Sequence, residues 1–141
     1  MKTEMDRKPI RPDRLRSTKD GSFAFLPHRF LQGGYLASLS KDELALYVVL
    51  VLAADRHGLS FYAYDRLCTL LMLDLETYLQ ARNRLIRNDL VAFDGTRFQV
   101  LALPEFPRFD QSKPLTTPHG FEKHDPATVR ATILAALQPR R

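Results

Sequence analysis

Apolar positions between residues 40 and 103 change their spacing in a definite order. Residues 44–54 are apolar without interruption and contain no Gly or Pro. Ala and Leu favour helix there, although Val48, Val49 and Val51 pull weakly toward strand. Ser40 precedes the run with Glu43 three residues on, the pattern of a capping box, so a helix is predicted from Lys41. A helix apolar on all sides is normally sandwiched between other elements, and this run falls far short of the roughly 20 residues that span a bilayer. Asp55-Arg56-His57-Gly58 then stops it with cationic groups and a glycine.

Beyond that stop, Leu59-Ser60-Phe61-Tyr62 has strand composition. A second helix is predicted from about Tyr64 to Leu71, with Leu67, Cys68 and Leu71 on one face. Asp74 is placed to cap a third helix from Leu75 to about Asn88. In that helix Tyr78, Ala81, Arg82 and Leu85 share one face, and Glu76, Thr77, Gln80, Asn83, Arg84 and Arg87 lie mostly on the other. Leu90 to Phe93, Asp94-Gly95 and Thr96 to Leu103 read as a hairpin with a two-residue type I′ turn. Phe98, Val100 and Ala102 alternate with Arg97, Gln99 and Leu101, which leaves Arg97 available at the tip. Leu44, Val48, Val51, Leu67, Leu71, Leu85 and Phe98 are expected to share one core.

Helix, short strand, helix, turn, helix and hairpin is the order of a winged helix-turn-helix. The expected fold is therefore mainly α with a small β-hairpin, a winged helix-turn-helix over residues 40–103 with N- and C-terminal extensions. Leu71-Met72-Leu73-Asp74, followed by Tyr78, Ala81, Leu85 and Leu90-Val91, resembles the consensus of bacterial winged helix-turn-helix proteins. The likeness is greatest to plasmid and phage replication initiators and primosomal replication proteins, in which a Leu-Gly-Val-Ser turn leads into a recognition helix ending in Gly-Leu-Ile. It covers about 64 residues, and its motifs are moderately specific. Met72 stands where the turn glycine is usual, Arg82 where a core leucine is usual, and Asp89 where the glycine before the wing is usual. The first and third departures predict altered turn geometry, the second a buried and paired arginine.

The flanks differ in kind. Residues 1–21 scatter Arg7, Lys8, Arg11, Arg14 and Arg16 among prolines and acids, as a flexible basic arm would. In residues 22–39, Phe23, Phe25, Leu26, Phe30, Tyr35 and Leu36 are expected to pack on the domain, with Gly33-Gly34 breaking the segment. Prolines mark residues 104–124 as a linker. A last helix over residues 125–138, capped by Asp125 and opened by Pro126, carries an apolar stripe of Val129, Ile133, Ala136 and Leu137. That stripe needs a partner, either its own domain or a second subunit.

Charge sharpens the picture. The chain of 141 residues carries a net charge of +5 and has a pI near 9.6, which points to a polyanionic partner. Yet residues 40–103 hold seven basic and eight acidic side chains, a net charge of −1. The positive charge resides in the flanks, so the domain alone should bind DNA weakly unless its arginines share one face. Cys68 is the single cysteine, which excludes an intrachain disulfide, and the N-terminus lacks the apolar stretch of a secretory signal. A cytoplasmic protein without a membrane anchor is the resulting expectation.

Catalytic chemistry finds little support. His28, His57, His119 and His124 have no zinc spacing, and no Gly-rich phosphate loop or nucleophile elbow is present. Asp55 with His57 and Asp65 with Arg66 fall at helix termini, where such residues have structural roles. Neither an enzyme, nor a cofactor, nor a metal is expected. The expected function is sequence-dependent binding of double-stranded DNA, in transcriptional control or in replication or transposition of a mobile element. Glu76, Thr77, Gln80, Asn83, Arg84 and Arg87 would read it, with Arg97 and the basic arm alongside. The alternative is a protein-interaction module in a nucleoprotein assembly. Under either reading the last helix can join a homodimer or a protein partner.

Overall fold

The computed structural model describes residues 6–19, 21–108 and 126–137. It is mainly helical with one small antiparallel sheet. Helix α1 covers Arg29–Gln32, α2 Lys41–Ala53, α3 Tyr64–Leu71, α4 Leu75–Arg87 and α5 Pro126–Leu137. The strands are β1 Leu59–Ser60, β2 Val91–Phe93 and β3 Phe98–Val100.

Helix α2 begins where the capping box places it. The Ser40 hydroxyl accepts the Glu43 amide at 3.2 Å, and the Glu43 carboxylate accepts the Ser40 amide at 3.3 Å. Leu46, Tyr47, Leu50 and Val51 are buried, whereas Leu52 is exposed, so the helix is covered on most of its circumference rather than all of it. After Ala53 the chain turns around Asp55, whose carboxylate accepts the amides of His57 (2.8 Å) and Leu59 (3.0 Å). Gly58 has φ +83°, and a Cβ there would lie 2.5 Å from the Val100 carbonyl oxygen. This close approach lets the Val100 amide donate to Gly58 and joins the turn to the sheet.

The predicted hairpin is the edge of a larger element. Strand β1 is shorter than the expected Leu59–Tyr62 and pairs with β3, so the sheet has three strands in the order β1-β3-β2. Val91, Ala92 and Phe93 oppose Val100, Gln99 and Phe98. The two-residue turn is replaced by a four-residue connection over 94–97. Asp94 does not take the positive φ that a type I′ turn demands, and only Gly95 does (φ +101°). The Asp94 carboxylate instead gathers the amides of Thr96 (3.0 Å) and Arg97 (2.7 Å), closing the loop from its side chain.

Phe30 of α1 stacks on Tyr47, with ring centroids 5.0 Å apart, and joins Tyr35, Leu67, Tyr78, Leu85, Leu90 and Phe98 in one core. Of the predicted core set, Val51, Leu67, Leu85 and Phe98 are buried and Leu44 and Leu71 are half-buried at its margin, while Val48 is half-buried without joining it and Val49 packs there instead. Phe23, Phe25 and Leu26, expected to pack on the domain, lie exposed on a segment outside any helix or strand. Anchoring falls to Phe30 and Tyr35 instead. Arg29 helps by donating to the Tyr35 hydroxyl (2.8 Å) and to the carbonyls of Leu103 (3.0 Å) and Pro104 (2.9 Å).

Helix α5 packs on α3 and α4 through its first turn, where Ala127 is fully buried. The expected stripe is not what docks: Val129, Ile133 and Leu137 are exposed. The Asp125 cap and most of the 104–124 linker lie outside the described residues. Among the described residues no helix is long and apolar enough to cross a membrane.

Candidate nucleic-acid interface

Helices α3 and α4 are joined by a turn whose geometry is set by backbone hydrogen bonds. Met72 closes α3 at φ 55°, ψ 44°. Its amide donates to Thr69 (3.4 Å), and the Leu73 amide donates to Cys68 (3.0 Å). This is a Schellman motif, with Leu73 returning to the core margin. Asp74 then caps α4 by accepting the Thr77 amide at 2.7 Å. The other end of α4 repeats the device. Asp89 has φ 63°, its amide donates to Ile86 (3.0 Å), and the Leu90 amide donates to Leu85 (3.1 Å). Met72 and Asp89 are the two non-glycine residues with positive φ among those described. The altered turns expected from the missing glycines are therefore not found. The left-handed geometry is kept and imposed on side chains that disfavour it.

The two faces of α4 separate as their spacing predicts. Tyr78, Ala81, Arg82 and Leu85 are buried, and Glu76 and Gln80 are exposed. Thr77, Asn83, Arg84 and Arg87 are half-buried on the flanks. Arg84 turns inward to α2, where its Nε lies 3.1 Å from a Glu43 carboxylate oxygen. Asn83 presents its carbonyl oxygen to Arg82, at 3.3 Å from Nε and 3.2 Å from Nη2. The predicted reading set is thus divided, with Glu76 and Gln80 facing outward and Arg84 and Asn83 engaged within the protein.

Arg82 is 1% exposed, the buried arginine that its core position implied. Its guanidinium sits 4.8 Å from the Phe93 ring centroid and 6.0 Å from that of Tyr78, and Nη2 donates to the Thr128 hydroxyl at 3.3 Å. A planar guanidinium can lie against aromatic rings and still donate hydrogen bonds in its own plane, which a lysine could not. Here it also ties α5 to α4.

Arg97 is exposed at the sheet tip and pairs with Asp94 at 2.9 Å. The arm residues Arg7, Lys8, Arg11, Arg14 and Arg16 are all exposed, with one turn of 3-10 helix at Pro12–Arg14 and an Arg11–Asp13 pair at 2.8 Å. Arg66 of α3, which the sequence offers only as a partner for Asp65, is exposed and lies over Tyr62, 5.1 Å from the ring centroid. A shallow depression lies around Tyr62, Arg66 and Thr69. The Tyr-x-x-x-Arg spacing is its only sequence signal.

Four aspartates have carboxyl groups held below the usual carboxylate range, Asp13 in the arm by its hydrogen bond from Arg11. Backbone amides do this at Asp94 and Asp55, and hydrogen bonds from Thr77 do it at Asp74. Burial, then the charges of Asp74 and Asp65, push the Cys68 thiol up, so it lacks the thiolate character of a nucleophile. Among the described residues no group of three or more His, Cys, Asp or Glu could hold a metal ion. No protein-family model matches the chain, and no curated protein or solved structure is significantly similar to it.

Proposed function

We propose that this chain is a winged helix-turn-helix protein that binds double-stranded DNA, reading sequence with α4 and drawing much of its affinity from the N-terminal arm. The observation that carries the reading is the construction of the α3–α4 unit. Two helices meet across a Schellman turn and an Asp74 cap, a three-stranded sheet follows, and α4 buries one face while holding Glu76 and Gln80 outward. A helix of that kind fits the major groove, where Gln80 can pair with adenine and Glu76 can accept from cytosine.

Charge placement refines the roles. Arg84 is committed to Glu43, so it supports α4 from behind rather than reading guanine. Arg66, Arg97 and the arm supply exposed positive charge for phosphates. The proposal is of a binding protein, not an enzyme, acting in transcriptional control or in replication or transposition of a mobile element.

The Glu43–Arg84 pair and the near-neutral charge of residues 40–103 favour a second reading, in which the same surface holds a protein in a nucleoprotein assembly. Gel shifts on random duplex at low and moderate salt separate the two. Phosphate-driven binding falls steeply as salt rises. Absent or salt-independent retention leaves the interaction module as the better account.

A further inference from the structure

A larger concavity than the one beside Tyr62 lies away from α4. A cleft of about 730 Å³ is lined by residues 22–25 and Pro27, the C-terminal half of α2, the 55–58 turn and residues 100–103. Its size falls within the roughly 300–1,000 Å³ of small-molecule sites. Tyr47 and Val51 contribute buried apolar surface from α2. Burial raises the Tyr47 phenol above its ordinary pKa, so the wall stays neutral. Phe23 and Phe25 also line the cleft, yet they are 67% and 78% exposed. Two large aromatic groups left in water beside an apolar cleft mark a place where something else covers them.

The charges beside this surface are unbalanced. Arg29 and Arg56 line the cleft. Arg29 donates to the Tyr35 hydroxyl and to backbone carbonyls, and Arg56 donates to the His57 ring nitrogen at 3.3 Å. None of these acceptors is a carboxylate. Asp55 is the one carboxylate in the lining, with the amides of His57 and Leu59 on one of its oxygens, and it lies within electrostatic reach of Arg56, so it offsets one of the two guanidinium charges. The cleft therefore combines an apolar wall, an aromatic rim and an excess of guanidinium.

We propose that this cleft binds a small amphipathic anion, an aliphatic or aromatic carboxylate whose apolar body lies against Tyr47 and Val51 beneath Phe23 and Phe25 and whose carboxylate meets Arg56. The site is independent of the DNA-binding reading. The test titrates the full chain with octanoate, octan-1-ol and octylammonium, following binding by calorimetry and by amide shifts in ¹⁵N-labelled protein. Octanoate is expected to bind saturably and to move the amides of Val51, Gly58 and Leu101. The alcohol and the amine should bind at least about tenfold more weakly, as loss of a charge-assisted contact implies. Arg56→Gln should weaken octanoate by about tenfold and leave octan-1-ol unchanged, while Ala54→Trp should fill the cleft and abolish binding. Circular dichroism checks the fold of each variant, and the exposed Arg56→Gln decides the matter if Ala54→Trp does not fold. No saturable octanoate binding, equal affinity for the alcohol, or undiminished octanoate binding in folded Arg56→Gln overturns the proposal.

Discussion

Arg84 of α4 reaches across to Glu43 of α2, and the carboxylate it meets at 3.1 Å also completes the capping box with Ser40. One glutamate thereby fixes the start of α2 and the lateral position of α4. Its side chain is 8% exposed and that of Arg84 is 32% exposed, so the pair is only partly screened by water.

Glu43→Ala should therefore destabilise the protein more than an ordinary cap deletion. A cap alone is worth about 1 kcal/mol, and losing one partner of a half-buried pair adds about 2 kcal/mol. Arg84→Ala should cost about 1–2 kcal/mol, because the stranded carboxylate keeps its amide contact. Urea unfolding of the two variants and the double mutant measures the coupling, and strict additivity would show that the contact contributes nothing.

Met72 and Asp89 invite the opposite change. Each occupies a left-handed C′ position that favours glycine. Met72→Gly should stabilise by about 1 kcal/mol, since relief of the left-handed penalty exceeds the entropy cost of glycine. Asp89→Gly should gain less, because Asp tolerates this region better and forfeits its exposed contact with Arg108 at 3.5 Å. Thermal unfolding checks the order, and a lower melting temperature for Met72→Gly counts against the geometry.

Acid should act through Asp55, Asp74 and Asp94. Their folded pKa values lie below the unfolded ones, so their stabilising contribution is complete above the unfolded carboxylate value of about 4 and is lost as pH falls through the folded values. Melting temperatures should drop below about pH 4, and Asp94→Asn should make that fall shallower. NMR titration of the Asp94 carboxyl should show it ionised at a pH where ordinary aspartates are protonated. A normal titration would mean that the amides of Thr96 and Arg97 do not hold it.

Removing residues 1–19 deletes seven Lys and Arg against three acids. Affinity for all duplexes should fall similarly and the salt dependence should become shallower, while preference between a selected and a scrambled site survives. Unchanged affinity and slope would make the arm a solvated tail. Lost discrimination would mean that the arm itself reads a groove.

Much of the fold was legible because its signals are local. Ser40 with Glu43, Asp74 before Leu75 and the period of Tyr78, Ala81 and Leu85 depend on residues within a turn of one another, and each structured the chain as its spacing implied. The candidate site was legible only in part. Helical periodicity places Arg84 near the polar face of α4, but the residue that claims it is 41 positions earlier in the chain. The exposure of Phe23 and Phe25 has the same root. Apolar composition signals a preference for burial, while the space beside Tyr47 and Val51 depends on how α2, β3 and the 55–58 turn come together.

The sequence by itself determined the order and type of the elements over residues 40–103, the caps of α2 and α4, the buried face of α4 and the charge excess of the flanks, because these follow from hydrogen bonds, side-chain spacing and composition within short stretches. Only the tertiary structure decided that β1 joins the hairpin in a sheet, that Met72 and Asp89 keep a glycine conformation, and that α5 docks by its first turn and leaves its stripe exposed. It also decided that the arginines of α4 are divided between core, ion pair and flank. Those outcomes are set by contacts between distant segments, where several partners satisfy the same local pattern and packing selects among them.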